Sequence, residues 1–235
     1  MKVVIVLPGY NCERTLRKTY MSIPMQYVDD VIYVDDGSFD NSIKIAKSLH
    51  INHIICHSQN MGYGGNQKTL YDKALELKAD VIVMLHPDYQ YNPLLIPEII
   101  DKVKKGADVV FASRMKNGKD AILLGMPTYK FYANKILTRI QNSIFNQNLS
   151  EYHTGYRAYK ADVLRNIKYH SLSDDFVFDN QLALEIICKK YHIEEIYCPA
   201  KYDKDSSSIK FFHSVKYGIL VLWYTLVYKI KAIQS

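Results

Sequence analysis

Short runs of consecutive apolar, mostly β-branched residues recur along the first half of the chain. Because they are apolar at nearly every position, they are typical of strands buried on both faces of a parallel sheet. The runs cover residues 3–7, 31–34, 53–56, 81–85 and 109–112. Between them apolar residues recur at helical spacing, as at Ile43, Ala46 and Leu49. The alternation predicts an α/β fold with a mostly parallel central sheet flanked by helices.

The pattern changes after about residue 115. Residues 116–150 interleave lysines and one arginine with apolar groups and hold a single acidic residue, Asp120. Residues 159–200 again have the pattern of core helices and one further strand. Since no linker or internal repeat interrupts the chain, we expect one domain over 1–235. Its parts are a first half (1–115), a second half (116–205) and a basic amphipathic tail (206–235).

Composition narrows the class of protein. The chain has 235 residues, 48% of them hydrophobic and 23% charged, which excludes a disordered or fibrous protein. The formal net charge of +6 favours an anionic partner. Residues 206–235 contain four lysines and no carboxylate, so much of the excess lies at the C-terminal end. A nucleic-acid binder is disfavoured, because this charge lies beside apolar faces and not along a recognition element.

Polar segments follow each of the five apolar runs. They cover residues 8–13, 35–38, 57–66, 86–90 and 113–114. In open α/β sheets ligands bind beyond the carboxyl ends of the strands, so these segments predict one site. Neither the G-x-G-x-x-G fingerprint nor a P-loop is present in them, which disfavours those two nucleotide-binding classes.

Carboxylates at the strand ends suggest a phosphate-linked cation. Asp35, Asp36 and Asp88 converge on this edge, and a hard divalent cation prefers carboxylate and phosphate oxygens. Asp36 could instead bind a ribose or a base. The segment 35–38 could also be a turn before an N-capped helix.

Several segments together resemble the family-2 inverting glycosyltransferases, and within them the dolichyl- or polyprenyl-phosphate sugar transferases. The segments read V-L-P-G-Y-N-C-E, Y-V-D-D-G-S-F-D, Q-N-M-G-Y-G-G-N, L-H-P-D-Y-Q-Y-N-P, A-S-R, E-Y-H-T-G-Y-R-A-Y and S-D-D-F-V-F-D-N. They occur in the family's order over most of the chain. The resemblance implies a GT-A fold and a hexosyltransferase-type enzyme that uses a nucleotide sugar and inverts the anomeric centre.

The resemblance also implies roles for individual residues on the donor side. The residues that would form the nucleotide pocket are Pro8, Tyr10, Asn11, Glu13, Asp35, Asp36, Gly62, Gly64 and His86. Among them, Gly62 and Gly64 would let the backbone approach the nucleotide. Asp88 would hold Mg²⁺ or Mn²⁺ on the diphosphate, with Gln90 beside it. Arg114 would approach a phosphate of the donor or of the acceptor.

The acceptor side is implied by later motifs. His153, Thr154 and Arg157 match the acceptor motif, and Ser207 with Lys210 suits phosphate binding, although that segment could equally be an exposed loop. Catalytic roles fall on Asp88, Arg114, Asp175 and Asp179. A lipid-phosphate acceptor is already anionic and needs no strong base. A saccharide hydroxyl would need one, and Asp175 or Asp179 would serve.

One position departs from the family pattern. The usual D-x-D motif reads His86-Pro87-Asp88, so an imidazole replaces the first carboxylate. His86 could ligate a transition metal and shift the preference towards Mn²⁺, or it could contact the nucleotide or a nearby carboxylate. A catalytically silent protein that binds a nucleotide sugar is the alternative that this departure raises. The retained Asp36, Asp88 and Arg114 argue against that alternative.

The tail suggests how the chain meets its acceptor. Residues 215–231 mix lysine with leucine, tryptophan and tyrosine, which predicts an interfacial helix at a membrane surface. An ordinary docking helix, or a contact within a homodimer, would give the same pattern. The longest uncharged stretch there has 12 residues, fewer than the roughly 20 that a spanning helix needs. Without a secretory signal pattern, we expect a cytoplasmic protein, peripheral at the inner face of the membrane.

Overall fold

A seven-stranded sheet forms the centre of the computed structural model, which describes residues 1–200, Tyr202 and 211–234. Along the chain the strands are β1 (Val3–Gly9), β2 (Asp30–Asp35), β3 (His53–Cys56), β4 (Val81–Met84), β5 (Val109–Ser113), β6 (Arg157–Lys160) and β7 (Ile193–Tyr197). Their order across the sheet is β3-β2-β1-β4-β6-β5-β7.

Nine α-helices accompany the sheet within the described residues. They are α1 (Leu16–Met21), α2 (Ser42–Ser48), α3 (Gly62–Glu76), α4 (Ile96–Lys104), α5 (Asp120–Leu123), α6 (Thr128–Phe145), α7 (Ala161–Arg165), α8 (Phe178–Cys188) and α9 (Phe211–Gln234). Helix α4 shows how local sequence sets such an element. A proline and Glu98 occupy its first turn and Lys102 and Lys104 its last, which suits the helix dipole.

The predicted sheet is confirmed, with one strand that the apolar pattern missed. All five predicted runs are strands, and β7 is the further strand expected between residues 159 and 200. Strand β6 was not predicted, and it pairs antiparallel with both β4 and β5. It is only four residues long and begins and ends with a basic residue, so no apolar run marks it.

Each face of the sheet carries a hydrophobic core. One face packs against α1, α2 and α4 through side chains such as Leu16, Ala46 and Ile99. The other packs against α3, α7 and α8 through side chains such as Leu70 and Leu182. Because both faces are covered, the strands are apolar on both sides, which explains the continuous runs in the sequence.

Helix α9 docks on α6 and α8 by one face. Val221 is fully buried against Leu137 and Val177. Gln141 of α6 donates a hydrogen bond of 3.0 Å to the Thr225 hydroxyl. Helix α9 is therefore a docking helix, one of the alternatives given for the tail, and its outer face remains exposed. In the part of the chain that is described, no helix combines the length and the apolar character that crossing a bilayer would require.

The N-terminal turn of α3 packs against the loop before α8, and two glycines make this approach close. A Cβ atom would lie 2.6 Å from the Asp174 carbonyl oxygen at Gly62 and 2.3 Å from that of Ser173 at Gly64. The Gly64 amide also donates to the Asp174 carbonyl at 2.7 Å. The close approach that the structure shows is therefore to the chain itself, and the approach to a nucleotide stays a prediction.

Replacing Gly64 by alanine should lower the free energy of unfolding by about 1–3 kcal/mol, because the new methyl group meets backbone and not a flexible side chain. Gly218 in α9 is the matched control, since the atom nearest to a Cβ there is 3.9 Å away. Gly218→Ala should instead stabilise by roughly 0.5–1 kcal/mol. Urea unfolding followed by circular dichroism measures both, and equal stability of the two variants would contradict the packing described.

Candidate active site

A cavity of about 630 Å³ lies at the carboxyl end of the sheet. Its charged and polar floor comes from segments that follow β4 and β5 and from the segment before β6. Its walls come from α6 and α9 and are largely apolar. The predicted site residues that line it are His86, Asp88, Gln90, Arg114, His153 and Asp179. The structure therefore brings together residues that are up to 93 positions apart in the sequence.

A buried ion pair underlies the floor. Glu151 is fully buried and accepts hydrogen bonds from Arg114 Nε at 3.0 Å and from Asn134 of α6 at 2.7 Å. Burial alone would raise the pKa of Glu151, but the Arg114 charge and these hydrogen bonds outweigh it and lower that pKa. Burial likewise opposes the Arg114 charge, and the pair with Glu151 raises the pKa of Arg114 instead. Both side chains are therefore charged.

The other hydrogen bonds of Arg114 tie it to the cavity wall. Its Nη1 donates to the Tyr202 hydroxyl at 3.0 Å, and its Nη2 donates to the His153 carbonyl at 3.2 Å. Most of its five N–H donors are thus engaged by the protein. The predicted phosphate contact of Arg114 stays a prediction, and it would use the donor capacity that remains.

Asp88 provides a carboxylate in the cavity. Its Oδ1 accepts the backbone N–H of Gln90 at 3.0 Å, which fixes the turn after β4. Across the described ranges, no group of three His, Cys, Asp or Glu side chains gathers as a preformed metal site. This donor set fits a hard cation that shares its coordination with phosphate oxygens, as Mg²⁺ usually does, and does not fit a closed protein cage.

A match to a known protein family agrees with this site. The family model described as "Glycosyl transferase family 2" matches residues 4–168, more than half of the chain. The chain belongs to glycosyl transferase family 2. This confirms the prediction made from the motifs.

Two relatives of this family-2 chain are similar to it over most of their length. It is 28% identical to a UDP-N-acetylglucosamine–dolichyl-phosphate N-acetylglucosaminyltransferase of Methanococcus voltae, covering 78% of this chain and 82% of that protein. It is also 28% identical to an undecaprenyl-phosphate mannosyltransferase of Micrococcus luteus, covering 71% and 70%.

The fold is shared with solved glycosyltransferase structures. The glucosyl-3-phosphoglycerate synthase of Mycobacterium tuberculosis, in complex with Mn²⁺, UDP and phosphoglyceric acid, superposes with a TM-score of 0.72. The identity is 16%, and the alignment covers 97% of this chain and 78% of that one. At this identity the likeness shows the fold, and the predicted GT-A fold is confirmed.

The two predicted carboxylates after β2 are turned into the protein. Asp35 is fully buried and accepts the Tyr33 hydroxyl at 2.9 Å and the Ser38 amide at 2.8 Å. It therefore builds the turn that the sequence left as an alternative. Asp36 accepts His57 Nδ1 at 2.7 Å and the Met61 amide at 2.8 Å. A contact of Asp36 with a base or ribose stays a prediction, and these donors would compete with it.

The segment after β1 lies apart from the large cavity. Asn11 and Glu13 line a smaller pocket of about 250 Å³ with Asp40. Glu13 accepts the Asn41 amide at 2.9 Å, and Asn11 accepts that of Phe39 at 2.9 Å. Both side chains thus tie the β1 loop to the β2 loop. Pro8 is half-buried and Tyr10 is exposed on the same edge, where nucleotide binding by this group stays a prediction.

Two residues of the predicted acceptor motif lie beneath the cavity and do not line it. Thr154 is buried and donates to the Ala112 carbonyl at 2.7 Å. Arg157 is buried and donates to the carbonyls of Tyr152, Thr154 and Asp179 at 2.7–2.8 Å. With these donors engaged by the chain, both residues support the floor from below instead of facing an acceptor.

The two predicted catalytic aspartates of the later motif, Asp175 and Asp179, lie in different places. Asp179 lines the cavity, whereas Asp175 is exposed and pairs with Lys216 of α9 at 3.1 Å. Only Asp179 of the two is in the cavity lining, and a catalytic role for either stays a prediction. Ser207 and Lys210 lie outside the described residues.

Several cavity residues were not predicted as site residues. They are Tyr63, Lys130 and Tyr217, together with Glu151 behind the floor. Glu151 is the first residue of the E-Y-H-T-G motif, so its position in a family motif could have marked it as a site residue. Tyr63 stands between the glycines of its motif, and only tertiary contacts show that it reaches Asp179.

His153 links the cavity to α9, and its ring is neutral. Its Nδ1 lies 2.8 Å from the Tyr217 hydroxyl. Among the described residues its buried Nε2 has no hydrogen-bond partner. Burial lowers the pKa of His153 to about 4, against the opposing effect of Glu151.

Acidification should therefore weaken the fold through His153. Between pH 6.5 and about 4 the unfolded chain takes up a proton that the folded chain refuses, so the free energy of unfolding falls as the pH falls. Glutamine does not titrate, so over this pH range the free energy of unfolding of His153→Gln should fall by about 2–3 kcal/mol less than that of the wild type. Denaturant unfolding of both proteins from pH 7 to pH 4.5 tests this. Parallel pH profiles of the wild type and the variant would contradict it.

Proposed function

We propose that this family-2 enzyme transfers a sugar from a nucleotide sugar to a polyprenyl (dolichyl-type) phosphate, with inversion. The observation that carries the proposal is the composition of the cavity. Charged groups form its floor, and two largely apolar helices form its walls. A phosphate joined to a long hydrocarbon chain has the same division of polarity. The two relatives named as dolichyl- and undecaprenyl-phosphate transferases support this acceptor class.

On the donor side, Asp88 and Gln90 would hold a divalent cation, Mg²⁺ or Mn²⁺, together with the diphosphate of the donor. Such a cation neutralises charge that develops on the leaving nucleoside diphosphate. The complex of the structural neighbour with Mn²⁺ and UDP supports this cofactor. Asp88 itself orients the donor at the end of β4, where the Gln90 amide fixes its carboxylate.

On the acceptor side, Lys130 and Arg114 supply positive charge. Lys130 belongs to α6, and it lines the cavity. Burial and the nearby Arg114 charge both lower the pKa of Lys130. A bound anionic phosphate would favour the charged forms of both side chains. His153, on the floor beside Arg114, would complete the acceptor site.

No strong base is needed for this reaction. A phosphate acceptor is ionised at pH 7, so its oxygen can attack the anomeric carbon directly as the nucleoside diphosphate leaves on the opposite face. Within the described lining of the cavity the carboxylates are Asp88 and Asp179. Asp179 already accepts hydrogen bonds from Tyr63 and Gln67, which weakens it as a base for a saccharide hydroxyl.

The outer face of α9 would bring the enzyme to the membrane. Its exposed apolar side chains away from the cavity are Trp223, Leu226, Ile230 and Ile233, while Val215, Ile219 and Leu222 are exposed where the helix lines the cavity. Tyr132 and Ile136 of α6 are exposed as well, on the helix that shares the cavity wall. Lys229 and Lys231 flank this surface and suit anionic headgroups. The lysines favour a bilayer over a second copy of the chain, which would place like charges together.

Transfer by the purified chain tests the proposal. A thermal-shift panel of nucleotide sugars with Mn²⁺ identifies the donor, and transfer to polyprenyl phosphate is then compared with transfer to a lipid-free saccharide. We expect transfer to the lipid phosphate only. Asp88→Ala should reduce it at least about 100-fold with the fold retained.

Asp101→Ala is the control for Asp88→Ala, since Asp101 pairs with Lys105 on the surface of α4. It should leave transfer unchanged. Near wild-type transfer by Asp88→Ala would overturn the role of Asp88. Transfer to the saccharide alone would overturn the proposed acceptor.

The membrane surface has a separate test. Trp223→Ser/Ile230→Ser should greatly reduce cosedimentation with vesicles of phosphatidylethanolamine and phosphatidylglycerol, because it removes two large exposed side chains. Met21→Ser/Leu94→Ser removes two equally exposed apolar side chains elsewhere and should bind as the wild type does. If the two double variants bind equally, the outer face of α9 is not the membrane-binding surface.

A further inference from the structure

A hydrogen-bonded chain of three side chains runs along the cavity. They come from three separate elements: Tyr63 from α3, His86 from the segment after β4, and Asp179 from α8. The Tyr63 hydroxyl donates to Asp179 Oδ2 at 2.5 Å and lies 3.1 Å from His86 Nε2. All three side chains line the same cavity.

The direction of this chain follows from its protons. A carboxylate only accepts, and the phenol has a single proton, which it gives to Asp179. The Tyr63 oxygen must therefore accept from His86, so the Nε2 of His86 carries a hydrogen. A carboxylate at position 86, as in the usual D-x-D motif, could not donate, and it would place a second negative charge near Asp179.

Packing makes the arrangement rigid. The rings of Tyr63 and His86 stack with their centroids 5.5 Å apart and their planes 6° from parallel. Gly155 leaves room for the imidazole, since a Cβ there would lie 2.4 Å from His86 Nε2. Gln67 donates to the second oxygen of Asp179 at 3.1 Å. Both oxygens of Asp179 are thus held, and the side chain cannot rotate without losing a hydrogen bond.

We propose that Tyr63 and His86 are positioning residues that hold Asp179 as the acceptor for hydroxyl groups of the transferred sugar. The inference rests on the proposed function. The sugar is bonded to the diphosphate that Asp88 orients, so it occupies the cavity that Asp88 and Asp179 share. Each oxygen of Asp179 has a lone pair beyond the one already used, and sugar hydroxyls are matching donors. Two fixed acceptors select the orientation of the sugar.

Steady-state kinetics of Tyr63→Phe test the positioning role, since this change keeps the ring and removes the hydroxyl. We expect kcat to fall about 10- to 100-fold. The KM for the nucleotide sugar should change little, because the nucleotide makes most of the binding contacts. Tyr169→Phe is the matched control: it removes an equally short bond, 2.5 Å, to Asp72, which does not line the cavity. It should retain wild-type kcat.

Coupling to Asp179 separates positioning from a general loss of structure. In the Asp179→Asn background, Tyr63→Phe should have almost no further effect on kcat, because the carboxylate that it positions is gone. His86→Gln, which keeps an N–H donor, should retain most of the activity that His86→Leu loses. Additive effects of Tyr63→Phe and Asp179→Asn, or equal loss in the two His86 variants, would overturn the inference.

A spectroscopic measurement is independent of turnover. Nitrogen-15 NMR of the wild type should show His86 with its hydrogen on Nε2, and Tyr63→Phe should shift that resonance. A His86 ring with no hydrogen on Nε2 would overturn the inference. Failure of the wild type to transfer any sugar would overturn the proposed function instead, so the two failures are distinguishable.

Discussion

The fully buried carboxylate of Glu151 is the constraint on which the site depends. A charge in that position must be compensated, and Arg114 after β5 and Asn134 of α6 compensate it together. This requirement fixes α6 against the sheet edge and orients the Arg114 guanidinium. Arg114 in turn holds the His153 carbonyl and the Tyr202 hydroxyl. Charge pairing beneath the floor therefore sets the shape of the cavity above it.

The same constraint explains how polar and apolar surfaces meet in one cavity. Once α6 is fixed, α9 docks on it through Val221 and through the Gln141–Thr225 hydrogen bond. Tyr217 of α9 then reaches His153 on the floor. The charged floor is thus connected by hydrogen bonds to a helix whose opposite face is exposed and apolar. Such an arrangement allows a phosphate and a hydrocarbon chain to be recognised by a single rigid assembly.

Sequence reasoning predicted the sheet because burial on both faces forces continuous apolar runs. It missed β6, which is short and begins with Arg157, a residue whose charge gives no strand signal. It correctly placed polar segments at one edge but could not tell which way each carboxylate turns. Asp36 turns inward because His57 and the amide of Met61 reach it from the segment after β3. That donor set is a tertiary feature, and residue spacing does not encode it.

The carboxylates at this edge divide into two groups by whether they line the cavity. Asp35, Asp36 and Glu151 are buried, and each is held by several donors of the chain, so they build turns and floor. Asp88 and Asp179 line the cavity. Asp179 is nearly as buried as Asp36 and also accepts two hydrogen bonds, so its place in the cavity lining, and not its burial, sets it apart. An imidazole at position 86 supplies a donor where another carboxylate would add an acceptor, and Tyr63 and Gln67 hold the orientation of Asp179.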